Sequence, residues 1–208
     1  VLREITSGVV HYDSVGDLTA VRQQLSWYPY DIWLYLMAAC WQRIAEEEHL
    51  MPRAGAVGDE LGSALIGSRL VRDVMSLCFL MEKQYAPYPK WFGSAFKQLT
   101  CADLLAPWLH TVQRAATWQG REAGLTQAYR LLASLHNQLG ITDALPELAS
   151  GFHFRPFQVI HAERFAVALV QKITDPVVLR IAEHSLIGSI DLFSDNTLLR
   201  SDVFWRPG

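Results

Sequence analysis

Apolar residues recur along this chain at steps of three and four, punctuated by proline and glycine, and that period predicts helices. Leu18, Val21, Leu25 and Tyr28 mark a short amphipathic helix that opens at Gly16 or Asp17 and stops at Pro29. Asp31 stands where a cap is needed for a second helix, to about Leu50, apolar nearly all round in its first half (IWLYLMAACW) and charged in its second (RIAEEEH). Its first half is expected to cross the core. After a break at Pro52 and Gly55, Asp59 caps the longest helix, which reaches Lys83 with no proline inside it. Leu61, Leu65, Leu70, Val74, Leu77, Cys78 and Met81 form its expected buried stripe, and Ile32 to Trp41 and Leu61 to Met81 are expected to be the most buried segments. Tyr85 to Lys90 (YAPYPK) reads as a rigid turn, because each proline fixes its own φ and pushes the preceding residue out of the helical region. Further helices are expected at Trp91 to Leu99, Ala102 to Trp118, Arg121 to Leu139 and Ala162 to Ile173, with an irregular tail from Ser185. No alternating run with hairpin turns is found. The prediction is an all-α, multi-helix bundle of six or more helices, with residues 1–208 as one helical domain.

Composition narrows the class. With 50% of its 208 residues hydrophobic and 11% aromatic, the chain has ample side chain to offset the entropy of ordering, which excludes disorder. A net charge of -3 gives no general attraction to anionic lipid or nucleic acid, so neither a membrane nor a nucleic acid is an expected partner. The longest apolar run, Ile32 to Trp41, is well short of the ~20 residues a bilayer span needs. Val1 to Gly8 carries no secretion signal, and Cys40, Cys78 and Cys101 stand far apart in apolar stretches, which reads as buried thiols in a reducing, cytoplasmic setting. The opening valine suggests a fragment.

Most chemical motifs are absent: no phosphate loop, no dinucleotide fingerprint, no HExxH, no CxxC pair and no GxSxG elbow. No catalytic residue and no metal ligand is therefore assigned; His49 after Glu46, Glu47 and Glu48 reads as a solvated helix end. The informative object is the polar stripe of the long helix. Asp59, Gly62, Arg69, Arg72, Ser76 and Lys83 fall at steps of three, four or seven and share one side. Guanidinium forks and an ammonium facing a cleft suit an anionic ligand, whereas on a solvated face the arginines would pair with Asp73 and other carboxylates. Next comes Tyr85 to Trp91, where tyrosines and a tryptophan surround Lys83 and Lys90. These rings suit stacking on a nucleobase, or corking the bundle end.

The runs Gly58 to Ser63 (GDELGS), Arg69 to Asp73 (RLVRD) and Cys78 to Phe96 (CFLMEKQYAPYPKWFGSAF) resemble the bacterial domain-of-unknown-function family 4037. The resemblance extends from Trp27 to Trp33 (WYPYDIW) through Leu135 to Asn137, Arg155 to Phe157, His161 to Phe165 and Gly188 to Asp191, as far as Asp195 to Thr197. Full-length members look like nucleotidyltransferases, with an N-terminal α/β domain bearing a Gly-Ser pair and metal-binding carboxylates, followed by a helical domain similar to this chain. The pairs Gly62-Ser63, Gly67-Ser68, Gly93-Ser94 and Gly188-Ser189 are not followed by Asp-x-Asp, so the catalytic motif is missing. The resemblance implies the helical C-terminal domain of a nucleotidyltransferase-like protein, not catalytic alone, forming a wall of the nucleotide or acceptor site. It implies Lys83 or Lys90 with Tyr85 or Tyr88 at the nucleotide, beside Arg69, Arg72 and Trp91, and Asp59 and Glu60 on the acceptor side. Mg²⁺ and a nucleoside triphosphate would belong to the full-length parent, whose absent N-terminal domain would be this chain's partner, with a nucleotide or small-molecule acceptor as ligand. The alternative is a free-standing helical protein-interaction module.

Overall fold

The computed structural model describes residues 2–189. It is mostly helical: α1 (Leu2–Thr6), α2 (Asp17–Gln24), α3 (Tyr30–Glu47), α4 (Leu50–Ala56), α5 (Glu60–Met81), α6 (Phe92–Phe96), α7 (Ala102–Arg114), α8 (Trp118–Gln138), α9 (Glu163–Val170) and α10 (Pro176–His184). A 3-10 turn, Pro89–Trp91, leads into α6. Asp191, the Asp195 to Thr197 run and the tail beyond them lie outside the described residues.

Helix α3 is the central rod, flanked by α5, α9, α10 and α4. Trp33 to Trp41 are all buried on it, because four neighbours leave no side to water. At its middle the Trp41 indole stacks on Phe165 of α9 (centroids 4.2 Å, planes 16° apart) and donates its N–H to His136 Nδ1 of α8 at 3.3 Å. Burial pulls His136 down to about 4, so the ring is neutral and can accept that bond.

The long helix α5 shows how local chemistry sets ends. Asp59 accepts the Gly62 N–H at 2.7 Å, a side-chain cap on the first turn. At the other end the Gln84 N–H reaches Phe79 O (2.8 Å) and the Lys83 N–H reaches Leu80 O (3.1 Å), with Lys83 at φ 53 in the left-handed region that glycine usually fills. The helix therefore ends at Met81 and Lys83 lies beyond it.

Several expectations are corrected. Leu61 and Leu65 are 75% and 62% exposed, and Ile32 is 39% exposed. The first half of α5 buries Ser63 and Gly67 instead, because the Arg121 side chain of α8 occupies that interface and only small residues leave room for it. Asp31 is not the cap of α3, whose N-cap is Pro29; its carboxylate accepts from the N–H groups of Thr174 (2.9 Å) and Asp175 (2.6 Å) and ties α3 to the turn before α10. Pro52 breaks nothing, since it sits in the first turn of α4, where a missing N–H has no intrahelical partner to lose. Helix α10 was not anticipated, although Asp175-Pro176 is a cap followed by proline at the first helical position. Strands β1 (Ser150–Gly151) and β2 (Gln158–Val159) form a two-stranded antiparallel pair, too short to register as an alternating pattern.

Where α7 crosses α8, Gly124 lets the backbones approach: a Cβ there would stand 2.8 Å from Val112 Cγ2 and 3.1 Å from Trp108 O. Helix propensity alone would make Gly124→Ala stabilising by up to about 1 kcal/mol. We expect overpacking to win, with a loss of about 1 to 3 kcal/mol and a fall in melting temperature of roughly 2 to 12 °C by calorimetry. An unchanged or raised melting point would mean that α7 and α8 are not in close contact at this point.

Candidate functional site: the charged seam between α3 and α5

Helices α3 and α5 meet through charged side chains that hydrophobic helices rarely bury. Arg43 is 2% exposed and Asp73 is fully buried, and Arg43 Nε donates to Asp73 Oδ2 at 3.2 Å. One turn along, Glu47 accepts from Arg69 of α5 and lies 3.8 Å from Arg43 Nη2. Burial pushes the Asp73 carboxyl above its usual range, and Arg43, then Arg72, pull against that shift. The Arg72 Nε lies 3.7 Å from Asp73 Oδ1, while 44% of the Arg72 side chain stays in water. Of the two arginines picked out by spacing, Arg69 is thus engaged across the seam, and Arg72 is the outward one, rooted on a buried acid. Ser76, a turn further on, returns its hydroxyl to Arg72 O at 2.9 Å.

The aromatic turn divides between inside and outside. The Tyr85 ring is buried in a cluster with Trp27 and Tyr28 (centroids 5.0 and 4.9 Å), and its hydroxyl donates to Leu25 O at 2.9 Å. Tyr88 and Trp91 are 65% and 56% exposed. The Lys83 ammonium lies 4.4 Å from the Trp33 ring centroid, and that of Lys90 lies 5.0 Å from the Trp91 centroid. Exposed cations over rings gain about 0.5 to 1 kcal/mol, enough to bias a side chain without immobilising it. Arg72, Lys83, Tyr88, Lys90 and Trp91 therefore reach solvent, whereas Tyr85 is packed. Asp59 serves as the α5 cap, and Glu60 binds Arg121 and accepts the Trp118 N–H at 3.1 Å, at the far end of α5 from the aromatic turn.

Sequence reading missed Arg43, Glu47, Glu48, Arg121 and Tyr129, all buried polar groups. The one available signal was the i, i+4 spacing of Arg43 and Glu47, masked by the run of three glutamates. Tyr129 of α8 faces this set, and its burial, followed by the charges of Glu48, Asp73 and Glu47, holds its phenol well above the usual range. Among the described residues no group of three or more His, Cys, Asp or Glu is arranged to hold a metal ion, so no metal-dependent step is assigned to them.

Glu48 accepts from the N–H groups of Ile160 (2.7 Å) and Ala162 (3.1 Å), anchoring the segment between β2 and α9. Burial pushes it up to about 7 despite those bonds. At Glu48 the folded state thus holds more protons than the unfolded one between pH 4.5 and about 7, and this group's contribution to stability falls as pH rises through that window. Buried His136 acts in the opposite sense in the overlapping range, from 6.5 down to about 4. The readout is therefore a difference: stability of Glu48→Gln minus wild type should grow by up to about 1.4 kcal/mol per pH unit from pH 5 to 7 in urea titrations. A flat difference would mean that Glu48 is ordinarily solvated.

Residues 1–92 match the model of a family described as a domain of unknown function (DUF4037). No curated protein and no solved structure matches the chain. The seam, the capped long helix and the aromatic turn up to Trp91 thus all fall within the stretch that is similar to that domain.

Proposed function

We propose that this chain is the helical wall of a nucleotide or acceptor site in a nucleotidyltransferase-like protein, with the transfer chemistry supplied by another domain. The carrying observation is Arg72: its Nε rests 3.7 Å from buried Asp73 while nearly half of the side chain faces water. A guanidinium held from behind by a carboxylate is oriented before its ligand arrives, so less side-chain entropy is lost on binding a phosphate. Lys83 follows eleven residues along, just past the end of α5, with its ammonium over the Trp33 ring. Tyr88, Lys90 and Trp91, exposed beyond it, offer ring faces for a base and a further cation for phosphate. Arg69, held by Glu47, positions the seam rather than meeting the ligand. The chain's own residues bind and orient; no proton transfer or bond breaking is assigned to them.

A second reading has its own observation. Leu61 and Leu65, one turn apart on the exposed side of α5, form an apolar step that suits a protein partner, as an interaction module would need.

Calorimetric titration of ATP with Mg²⁺ into the longest native protein tests the proposal. Arg72→Ala is expected to weaken binding by about tenfold or more, with a melting shift of only a few degrees because 44% of the Arg72 side chain is already in water and Asp73 keeps its bond from Arg43. Asp73→Ala is expected to cost about 3 to 5 kcal/mol of folding stability, since it strands Arg43 in the interior. Unaltered affinity in Arg72→Ala, or a loss fully explained by unfolding, would overturn the site. The 208-residue chain alone should turn over no nucleotide, and Mg²⁺-dependent transfer abolished by a substitution within it would refute that.

A further inference from the structure

A second set of cations gathers at the β1–β2 hairpin and α4, independently of the seam. The His49 ring stacks on Phe152 (centroids 4.7 Å, planes 16° apart), and Phe152 meets His153 edge-on at 4.6 Å. That stack seats the start of α4, with Arg53 one turn after His49, against the hairpin that carries His153 and Arg155, and the Arg164 N–H donates to His161 O at 3.1 Å at the hairpin's base. All three arginines are exposed. Of the nearby carboxylates, Glu163 lies 3.8 Å from His161 Nδ1, and Glu48 is turned inward onto backbone N–H groups. At the tip, Phe154 stands wholly in water, 107% exposed.

This tip is held in shape. The Phe152 N–H donates to Phe157 O at 2.8 Å and the Arg155 N–H to Phe152 O at 3.1 Å, with His153 at φ 53. Ser150 Oγ and His161 Nε2, 3.0 Å apart, close the base of the hairpin. A large ring kept in solvent by an ordered turn forgoes the gain that burial would bring. A ligand with a flat face would recover that loss.

We propose that this hairpin end binds single-stranded nucleic acid, with Phe154 stacking on a base and Arg53, Arg155 and Arg164 meeting phosphates. An acidic peptide would use the arginines but has no need of the ring; a nucleotide strand uses both. The net charge of -3 gives the chain no general attraction for such a ligand, so affinity must come from this local cluster.

Fluorescence anisotropy with a short labelled oligouridylate tests it on the whole chain. Binding at low salt is expected, with a slope of log K against log salt of about -2, from three phosphate contacts at roughly 0.7 each. Arg155→Ala should make the slope shallower by about 0.7, and Phe154→Ala should weaken binding at least about fivefold without altering the slope. Neither should move the melting temperature, since both side chains are in water, and Arg180→Ala on α10 should change nothing. No binding at low salt, or binding indifferent to Phe154 and Arg155, would overturn the proposal. Labelled poly-glutamate bound as tightly, and lost equally in Phe154→Ala, would reassign the surface to an acidic protein and overturn it too.

Discussion

Arg43 and Asp73 face each other across α3 and α5 with almost no access to water, and the arrangement of the two helices follows from that pairing. Removing either charge alone would leave its partner stranded at a cost of several kcal/mol, so sliding one helix by a residue is heavily disfavoured. Four residues further along α3, Glu47 meets Arg69, four residues earlier on α5, as an antiparallel register requires. In the other direction the Trp33 indole donates to Leu80 O at 2.7 Å. Apolar contacts between these helices would tolerate several registers; the charged and indole bonds select one.

Elements whose signals are local were legible. The cap at Asp59 and the rigid turn before Trp91 depend on residues within four positions of one another, whereas the first amphipathic helix ends at Gln24, short of the expected stop at Pro29. The burial of the first half of α5 was not, because its leucines obey the helical period while Arg121, some sixty residues away, dictates which face turns inward. Arg121 donates to Ser63 Oγ at 3.1 Å and to Ala115 O at 2.7 Å, and it binds Glu60. A guanidinium so enclosed displaces Leu61 and Leu65 to the surface. Its three partners span the chain from Glu60 to Ala115, and nothing in the spacing of any one helix announces them.

The cationic ribbon was legible as a row of positions and, through Asp73 on the same helix, as one ion pair, but not as the full balance of charge. Arg43, Arg69 and Arg72 are set against Glu47 and Asp73, with Glu46 beside them. Carboxylates from the neighbouring helix had no place in a reading of α5 alone. Their presence changes what the ribbon can do. Arginines lacking such partners would repel each other and move; arginines seated on buried acids are fixed in direction, and the ones at the edge present oriented donors with little net field. Recognition at the seam would then be short-ranged and geometric rather than a matter of long-range attraction.

Glu46, Glu47 and Glu48 show how far three identical neighbours can diverge. Successive residues on a helix point about 100° apart, so a run that reads as one solvated face in fact addresses three directions. Glu46 lies at the half-buried edge beside Gln42, and burial raises its carboxyl. Glu47 faces α5 and its arginines. Glu48 faces α9 and takes backbone N–H groups, and burial carries it to about 7 in spite of them; burial raises Asp73 as well, with Arg43 pulling against that shift. The end of α3 has little solvated surface to give to charge. Glu47 and Glu48 therefore find their partners in different neighbours, and in doing so they join the end of α3 to α5 through one and to the segment before α9 through the next.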